Sequence, residues 1–469
     1  MRNRNHLQRK VLGVFTLAMI NVCAIESLKN LPIMAKVGLQ AVFFYVIAGV
    51  IFFIPCALVS AELATGWPST GGVYEWVKQA FGKKWGFVAI WLQWIENVIW
   101  YPTILSFTAA TIAYLFYPAL AQNKFYMLFS ILLVFWVSTL INFFGMKASG
   151  VISTIGVLIG TIVPGALIIM LGVVWFVIGG SNIQLHFSVS NLFPDMNQLS
   201  NLVFLVGVLL ALGGMEMSAV HAKEVKNPQR DYPRAIFLST FIILILSVLG
   251  SLAISVVVPQ QKISLVAGVM QAFSDFFRVF HIQWATPILA LLIAFGAIAM
   301  VSTWIVGPSK GLLESARDGD IPPVFERMNK FHMPVVIMLT QGVLLTVLSL
   351  VFLFMPTVSS SYWILTALTA QLYLLMYMLM FLAGIRLRYS QPNVARAYRI
   401  PWKNIGMWIV AGIGFLGSLF AVVIGFVPPT NLETGNIVFY EAFLGIGVFT
   451  MIIFPLLIYA YSQYRYGHE

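Results

Sequence analysis

The sequence predicts an all-α polytopic membrane bundle of twelve spans, and three observations carry that prediction. Hydrophobic residues make up 60% of the 469 positions and charged residues only 9%, against roughly 25% charged in soluble domains. Mean hydropathy is +0.91, too high for a chain that must cover itself with a water-facing surface, so the surrounding medium is lipid. The apolar residues fall in long runs between short charged loops, which suits helices whose backbone groups bond internally. The chain, 1–469, therefore reads as one transmembrane domain rather than several soluble ones.

A helix needs about 20 apolar residues to cross a hydrocarbon core of ~30 Å. On that criterion spans fall near 11–35, 38–63, 85–117, 124–145, 149–178, 199–222, 235–258, 284–312, 334–355, 361–385, 405–427 and 438–461. Loop charges test the register. Arg2, Arg4, Arg9 and Lys10 share one side with Lys78, Lys83, Lys84, Lys147, Lys223, Lys226, Arg230 and Arg234. Lys310, Arg317, Arg327, Lys330, Arg386, Arg388, Arg396, Arg399, Lys403 and Arg465 join them. The opposite loops hold only Lys124, Lys262 and Arg278, with Lys36 capping the outer end of span 1 and Lys29 inside it. Basic loops stay in the cytoplasm, so both termini are placed there.

Two segments suit helices that lie against the bundle instead of crossing it. These are 72–82 on the cytoplasmic side and 264–281 outside, where Phe273, Phe276, Phe277 and Phe280 accompany Asp275 and Arg278. The basic N-terminus and the apolar run after it resemble a signal peptide only superficially, because no small-residue cleavage site follows. Cys23 and Cys56 both lie inside apolar runs, which argues against a disulfide or a metal site. The net charge of +11 sits in topology-setting loops, so nucleic acid is not an expected partner. No phosphate-cradling loop and no nucleophile–base set is present, so neither ATP drive, enzymatic activity nor a cofactor is expected.

Two spans carry unusual polarity. Span 1 holds Asn21, Glu26, Ser27, Lys29, Asn30 and Pro32, and span 6 holds Gly213, Gly214, Glu216, Ser218 and His221. Polar groups at membrane depth are costly and line interior paths. Glycine pairs let a helix unwind, and unwound backbone is tolerated there only against protein or a cavity. Spans 1–5 are an odd set, so spans 6–10 start from the opposite side. Two inverted five-helix repeats follow, 11–178 and 199–385, each opening on a broken helix, with 405–461 as two extra helices. Half-helix N–H groups attract a carboxylate and exposed carbonyls accept an ammonium. A zwitterionic amino acid supplies both. The alternative for Gly213 and Gly214 is close helix packing.

Residues 61–74 (Ala-Glu-Leu-Ala-Thr-Gly-Trp-Pro-Ser-Thr-Gly-Gly-Val-Tyr) are similar to the segment after span 2 in the amino acid/polyamine/organocation superfamily. Residues 213–234, with Gly-Gly-Met-Glu-Met-Ser-Ala-Val-His and Asn-Pro-Gln-Arg-Asp-Tyr-Pro-Arg, resemble its glutamate/GABA antiporter branch, as does Ser-Thr-Trp-Ile-Val-Gly-Pro-Ser-Lys-Gly at 302–311. The likeness runs from span 1 to span 12. It implies a fold of the LeuT type and alternating-access exchange or proton-linked uptake of amino acids in a bacterial inner membrane, by a monomer or homodimer. It maps the substrate to Ala24, Ile25, Glu26 and Ser27, to Gly213, Gly214 and Met215, and to Trp304, Tyr373 and Tyr377. It gives Glu216 a gating role, with Glu96 as a second candidate for carrying protons. Polyamine transport and Na+-coupled uptake are the alternatives. The sequence departs from the family at Met300, where one member has an acid, and at Thr154, where many have a span 5 lysine. It also ends soon after span 12, so gating by a C-terminal plug is not expected.

Single residues admit structural readings too. Glu26 and Lys29 are three apart and on a helix would neutralise each other. Glu96 and Glu216 could tie their helices to neighbours, and Trp304, Tyr373 and Tyr377 could simply pack. Ser302 and Thr303 offer hydroxyls to Na+, although such groups more often bond the preceding turn. His221 is expected to stabilise the end of span 6, and His281 and His332 lie in loops without metal spacing.

Overall fold

The computed structural model describes residues 13–69, 71–144, 155–156, 158–179, 183–185, 187–218, 227–429 and 432–466. It is all-helical. Nine helices among the described residues are long and apolar enough to cross a membrane, and each coincides with a predicted span. The first predicted span is present in pieces: α1 (Val14–Ile25), a single 3-10 turn at Leu28–Asn30, and α2 (Leu31–Ala35). Glu26 and Ser27 between them are extended, with ψ of 124° and 127°. Pro32 falls in the first turn of α2, where its missing N–H has no helical partner to lose.

Gln40–Gly66 forms α3, which contains a π-helical stretch at Gly49–Phe53. The interfacial segment predicted at 72–82 is α4 (Val73–Phe81), which buries Val73, Tyr74, Trp76, Val77 and Ala80. Gly82, at φ 90°, separates it from α5 (Lys83–Ala113). Few L residues adopt that backbone region, so glycine marks the turn. Then come α6 (Lys124–Asn142), α7 (Leu158–Ile178), α8 (Phe204–Ala211) and the short α9 (Met215–Ser218). The second half continues with α10 (Pro228–Val257), the amphipathic α11 (Gly268–Val279), α12 (Ala285–Arg317) and α13 (Val335–Phe354). It closes with α14 (Val358–Ser390), α15 (Lys403–Ile424) and α16 (Ile437–Tyr466). In α11 Phe273, Phe276 and Phe277 are buried, and Arg278 pairs with Asp275 at 3.2 Å on its outer face.

Burial separates an inner from an outer set. α5 is buried along almost its whole length and packs between α12 and α14. Phe125 and Phe129 on α6, Val173 and Val177 on α7, and Phe449 and Leu457 on α16 are exposed. Such apolar surface belongs in lipid. The chain is thus a multi-pass membrane protein.

Two loop charges are placed differently from expectation. Arg388 and Arg396 were counted with the solvated basic loops, yet both are buried. Arg388 Nε and Nη2 donate to the two oxygens of Glu62, each at 2.6 Å. The Ile400 N–H donates to Glu62 Oε2 at 2.8 Å, and Arg396 Nε lies 3.5 Å from Oε1. The Arg396 guanidinium also covers the Trp67 ring at 5.0 Å. A planar guanidinium matches a carboxylate in this two-pronged way, which is why burial is tolerated. Lys147, Thr154 and His221 lie outside the described residues.

Candidate functional site

The two breaks predicted from sequence meet in space. Between them lies a cavity of ≈ 50 Å³, room for roughly three or four waters. Ile25, Ser27, Lys29 and Asn30 contribute from the first break; Leu210, Ala211 and Gly213 contribute from the second. α5 adds Glu96, Asn97 and Trp100, α12 adds Met300 and Trp304, and α14 adds Tyr373. The rings of Trp100 and Trp304 stand 6.0 Å apart.

The second break is shaped by glycine. Gly214 has φ 119°, outside the range most side chains tolerate. At Gly213 an added Cβ would lie 2.7 Å from Tyr373 Cε1. The backbone N–H of Gly214 donates to the Tyr377 hydroxyl at 2.7 Å, and that hydroxyl donates onward to Glu216 Oε2. Tyr373 donates to Glu216 Oε1 at 2.5 Å, joined by Gln93 Nε2 at 3.1 Å. Glu216 therefore sits behind the cavity wall rather than in it. Its carboxyl binds α9, α14 and α5 together at the unwound point. Tyr373 and Tyr377, one helical turn apart, pack with their rings tilted by 45° and centroids 4.7 Å apart. Only Tyr373 reaches the cavity.

Of the residues singled out in the sequence, Ile25, Ser27, Glu96, Gly213, Trp304 and Tyr373 line the cavity. Ala24 belongs to α1 in its backbone, and its side chain lies outside the described residues. Gly214 and Met215 are buried beside the break. Glu26 is placed elsewhere. It accepts a hydrogen bond from Ser247 at 3.1 Å and lines a separate cavity with Thr161 and Gly165.

The expected neutralisation of Glu26 by Lys29 does not occur. The spacing argument needs a continuous helix, and the extended residues Glu26 and Ser27 turn the two side chains apart. Lys29 Nζ instead donates to Thr103 Oγ1 at 3.2 Å and lies 5.4 Å from the ring centroids of Trp100 and Tyr362. Sequence reasoning thus gave Glu26 a place in the cavity that belongs to Lys29. The residues of α5 that it passed over, Asn97 and Trp100, share a face with Glu96 at helical spacing. That spacing was the available signal.

The two hydroxyls considered for Na+ have separate partners. Ser302 Oγ accepts from Asn142 Nδ2 at 3.2 Å, and Thr303 donates to the Ala299 carbonyl at 3.2 Å.

Residues 12–449 match the family model described as amino acid permease. An uncharacterized transporter of Legionella pneumophila is 50% identical over 97% of this chain and 97% of its own length. Glutamate/gamma-aminobutyrate antiporters of two Lactococcus lactis subspecies are 32% and 33% identical, over 99% of this chain and 93% of theirs.

Proposed function

The chain belongs to the amino acid permease family, and on that footing we propose that it carries amino acids across the bacterial cytoplasmic membrane by alternating access. The observation that supports this most strongly is the cavity itself. Two helix breaks, far apart in sequence, enclose one space together with Trp304 and Tyr373.

In this reading the chain is a single twelve-span transmembrane domain with both termini in the cytoplasm. Spans 1–5 and 6–10 are inverted repeats, and the last two helices are additions. Substrate sits between the half-helix ends, with Ser27 and Gly213 on either side and Trp304 above it. Binding shifts the tyrosines of α14, and Glu216 transmits that shift to the second break. Glu216 and Glu96 supply the route for a coupled proton where exchange alone does not drive transport. The separate partners of Ser302 and Thr303 weigh against a Na+ site at those hydroxyls.

Counterflow in liposomes tests the reading. Purified protein without ATP or partner is expected to exchange at least one labelled amino acid from a broad panel. A folded, inserted protein that exchanges none of them would sink the proposal. An imposed pH gradient is expected to stimulate uptake more than an imposed Na+ gradient, and Glu216→Gln is expected to abolish that stimulation while substrate still binds. Strong Na+ stimulation at constant pH, lost on joint replacement of Ser302 and Thr303 by alanine, would reverse the choice of ion.

A further inference from the structure

The cavity holds two opposite ionisable groups that the helix-break reading does not use to bind substrate. Lys29 and Glu96 both line it, and both are nine-tenths or more buried, at 2% and 3% exposure. Neither forms an ion pair among the described residues. The Lys29 ammonium has Thr103 Oγ1 as its hydrogen-bond acceptor. That hydroxyl sends its own proton to the Trp100 carbonyl at 2.7 Å, which orients its lone pairs toward the lysine. An ammonium carries three donors, and Thr103 takes one of them, with the Trp100 and Tyr362 rings beside the group at 5.4 Å. The Glu96 carboxyl accepts from Asn97 Nδ2 at 2.8 Å. The other end of that amide, Asn97 Oδ1, is buried and has no hydrogen-bond partner. Glu26, the acid nearest Lys29 in sequence, is engaged by Ser247 instead.

Buried charges and buried acceptors are costly while unmatched. A molecule with a carboxylate at one end and an ammonium at the other would match all of them. We propose that Lys29 is a specificity-determining residue whose ammonium receives the substrate carboxylate, while Glu96 and Asn97 Oδ1 receive the substrate ammonium. The site then requires both groups on one molecule. It disfavours simple amines, which leave Lys29 unmatched, and rejects polyamines, whose second ammonium in place of the carboxylate meets Lys29 and is repelled. The inference rests on the reading of this cavity as the substrate site, and adds side-chain recognition to the recognition by helix ends.

The test is competition binding on the purified full-length protein with a panel of tritiated standard L-amino acids as probes. Each probe that binds is challenged with its unlabelled parent, with the amine lacking the carboxylate, and with the acid lacking the amino group. Both truncated analogues are expected to compete at least about tenfold more weakly than the parent, since each leaves a buried charged group unpaired. In Lys29→Met the parent is expected to fall to the level of its amine, while the amine itself is unchanged; Lys29→Arg is expected to keep the preference. An amine that competes as well as its parent in the wild type overturns the inference and leaves the transporter reading standing. So does a Lys29→Met variant that weakens parent and amine equally. The wild-type analogue series decides the question even where a variant does not fold. Binding of no probe to the folded protein overturns both readings.

Discussion

Two buried acid–base sets stand in contrast. Glu62 with Arg388 and Arg396 and Glu96 with Lys29 are built from the same kinds of group at similar burial. In the first the charges lie against each other: Glu62 accepts two guanidinium bonds and a backbone N–H, and Arg388 also donates to the Ile400 carbonyl at 3.0 Å, although Arg388 Nη1 and Arg396 Nε and Nη1 have no hydrogen-bond partner among the described residues. The second is open, with its charges on the wall of a cavity and not on each other. Chemistry of the residues alone does not separate structure from function here. What separates them is whether the opposite charges lie in contact with each other. The closed set joins α3, α14 and the loop before α15; the open set lines the cavity proposed to take substrate.

Breaking the closed set should have the largest effect. Glu62→Gln leaves two buried guanidinium groups without their carboxylate, and a loss of about 3–5 kcal/mol is expected. Thermal unfolding in detergent should show a large drop in Tm, partly restored when Arg388→Met is added. Absence of a drop would mean the pair contributes little. The open set should respond differently. Lys29→Met removes a buried charge that has no ion-pair contact among the described residues, so Tm should change far less than in Glu62→Gln while amino acid binding falls to the level of the amine. A collapse of stability in Lys29→Met would erase the distinction between the two regions.

The glycine break should show an intermediate effect. Gly214 holds φ 119°, and forcing a side chain there costs on the order of 1–3 kcal/mol. Gly214→Ala is therefore expected to lower Tm moderately and to slow counterflow more than it lowers Tm. A variant with unchanged transport would show that this break does not have to hold its shape.

Much of this was legible in the sequence. Spans announce themselves because every residue in a membrane contributes to the same hydropathy signal. The breaks announce themselves because Glu26, Ser27, Gly213 and Gly214 violate that signal. Side-chain direction past a break is not legible, since two extended residues re-aim everything that follows. That is why Lys29 and Glu26 exchanged places. Pairings such as Glu62 with Arg388 are hidden for another reason. The partners are distant in sequence, and a basic residue near a span end looks the same whether solvated or buried. The positive-inside pattern assigns Arg388 to an end of its span without indicating its partner.

The smallest expected effect lies at the end of α12. Tyr74 Oη is 2.6 Å from Asp318 Oδ2 and 2.8 Å from Asp320 Oδ2, and Lys78 pairs with Asp318. Burial works to raise the Asp318 carboxyl, but the Lys78 ammonium and the Tyr74 hydroxyl prevail and hold it below its usual range. Burial raises Asp320, against hydrogen bonds from Tyr74 and Ser315. A lowered folded value stabilises above the ordinary carboxylate range and is lost as pH falls. A raised one stabilises in acid and is lost as pH rises through the folded value. Asp318→Asn should therefore flatten the fall in Tm as pH drops below about 5, and Asp320→Asn should slightly raise Tm at neutral pH. Identical profiles for the two variants would contradict the assignment of opposite shifts.

The central claim is that the space between the two breaks binds substrate, and a pair of tryptophans tests it most directly. Trp304 lines the cavity and is partly exposed. Trp363 is fully buried away from it, donating to the Tyr440 hydroxyl at 3.1 Å. Equilibrium binding of a transported amino acid and thermal unfolding should be measured together on Trp304→Ala and Trp363→Ala. Trp304→Ala is expected to weaken binding by about tenfold or more with a small change in Tm, because it removes a substrate contact. Trp363→Ala is expected to lower Tm by the larger amount, consistent with about 3–5 kcal/mol for an aromatic truncated in a core, while the folded fraction keeps its affinity. Equal losses of affinity in the two variants, or full affinity in Trp304→Ala, would contradict the claim.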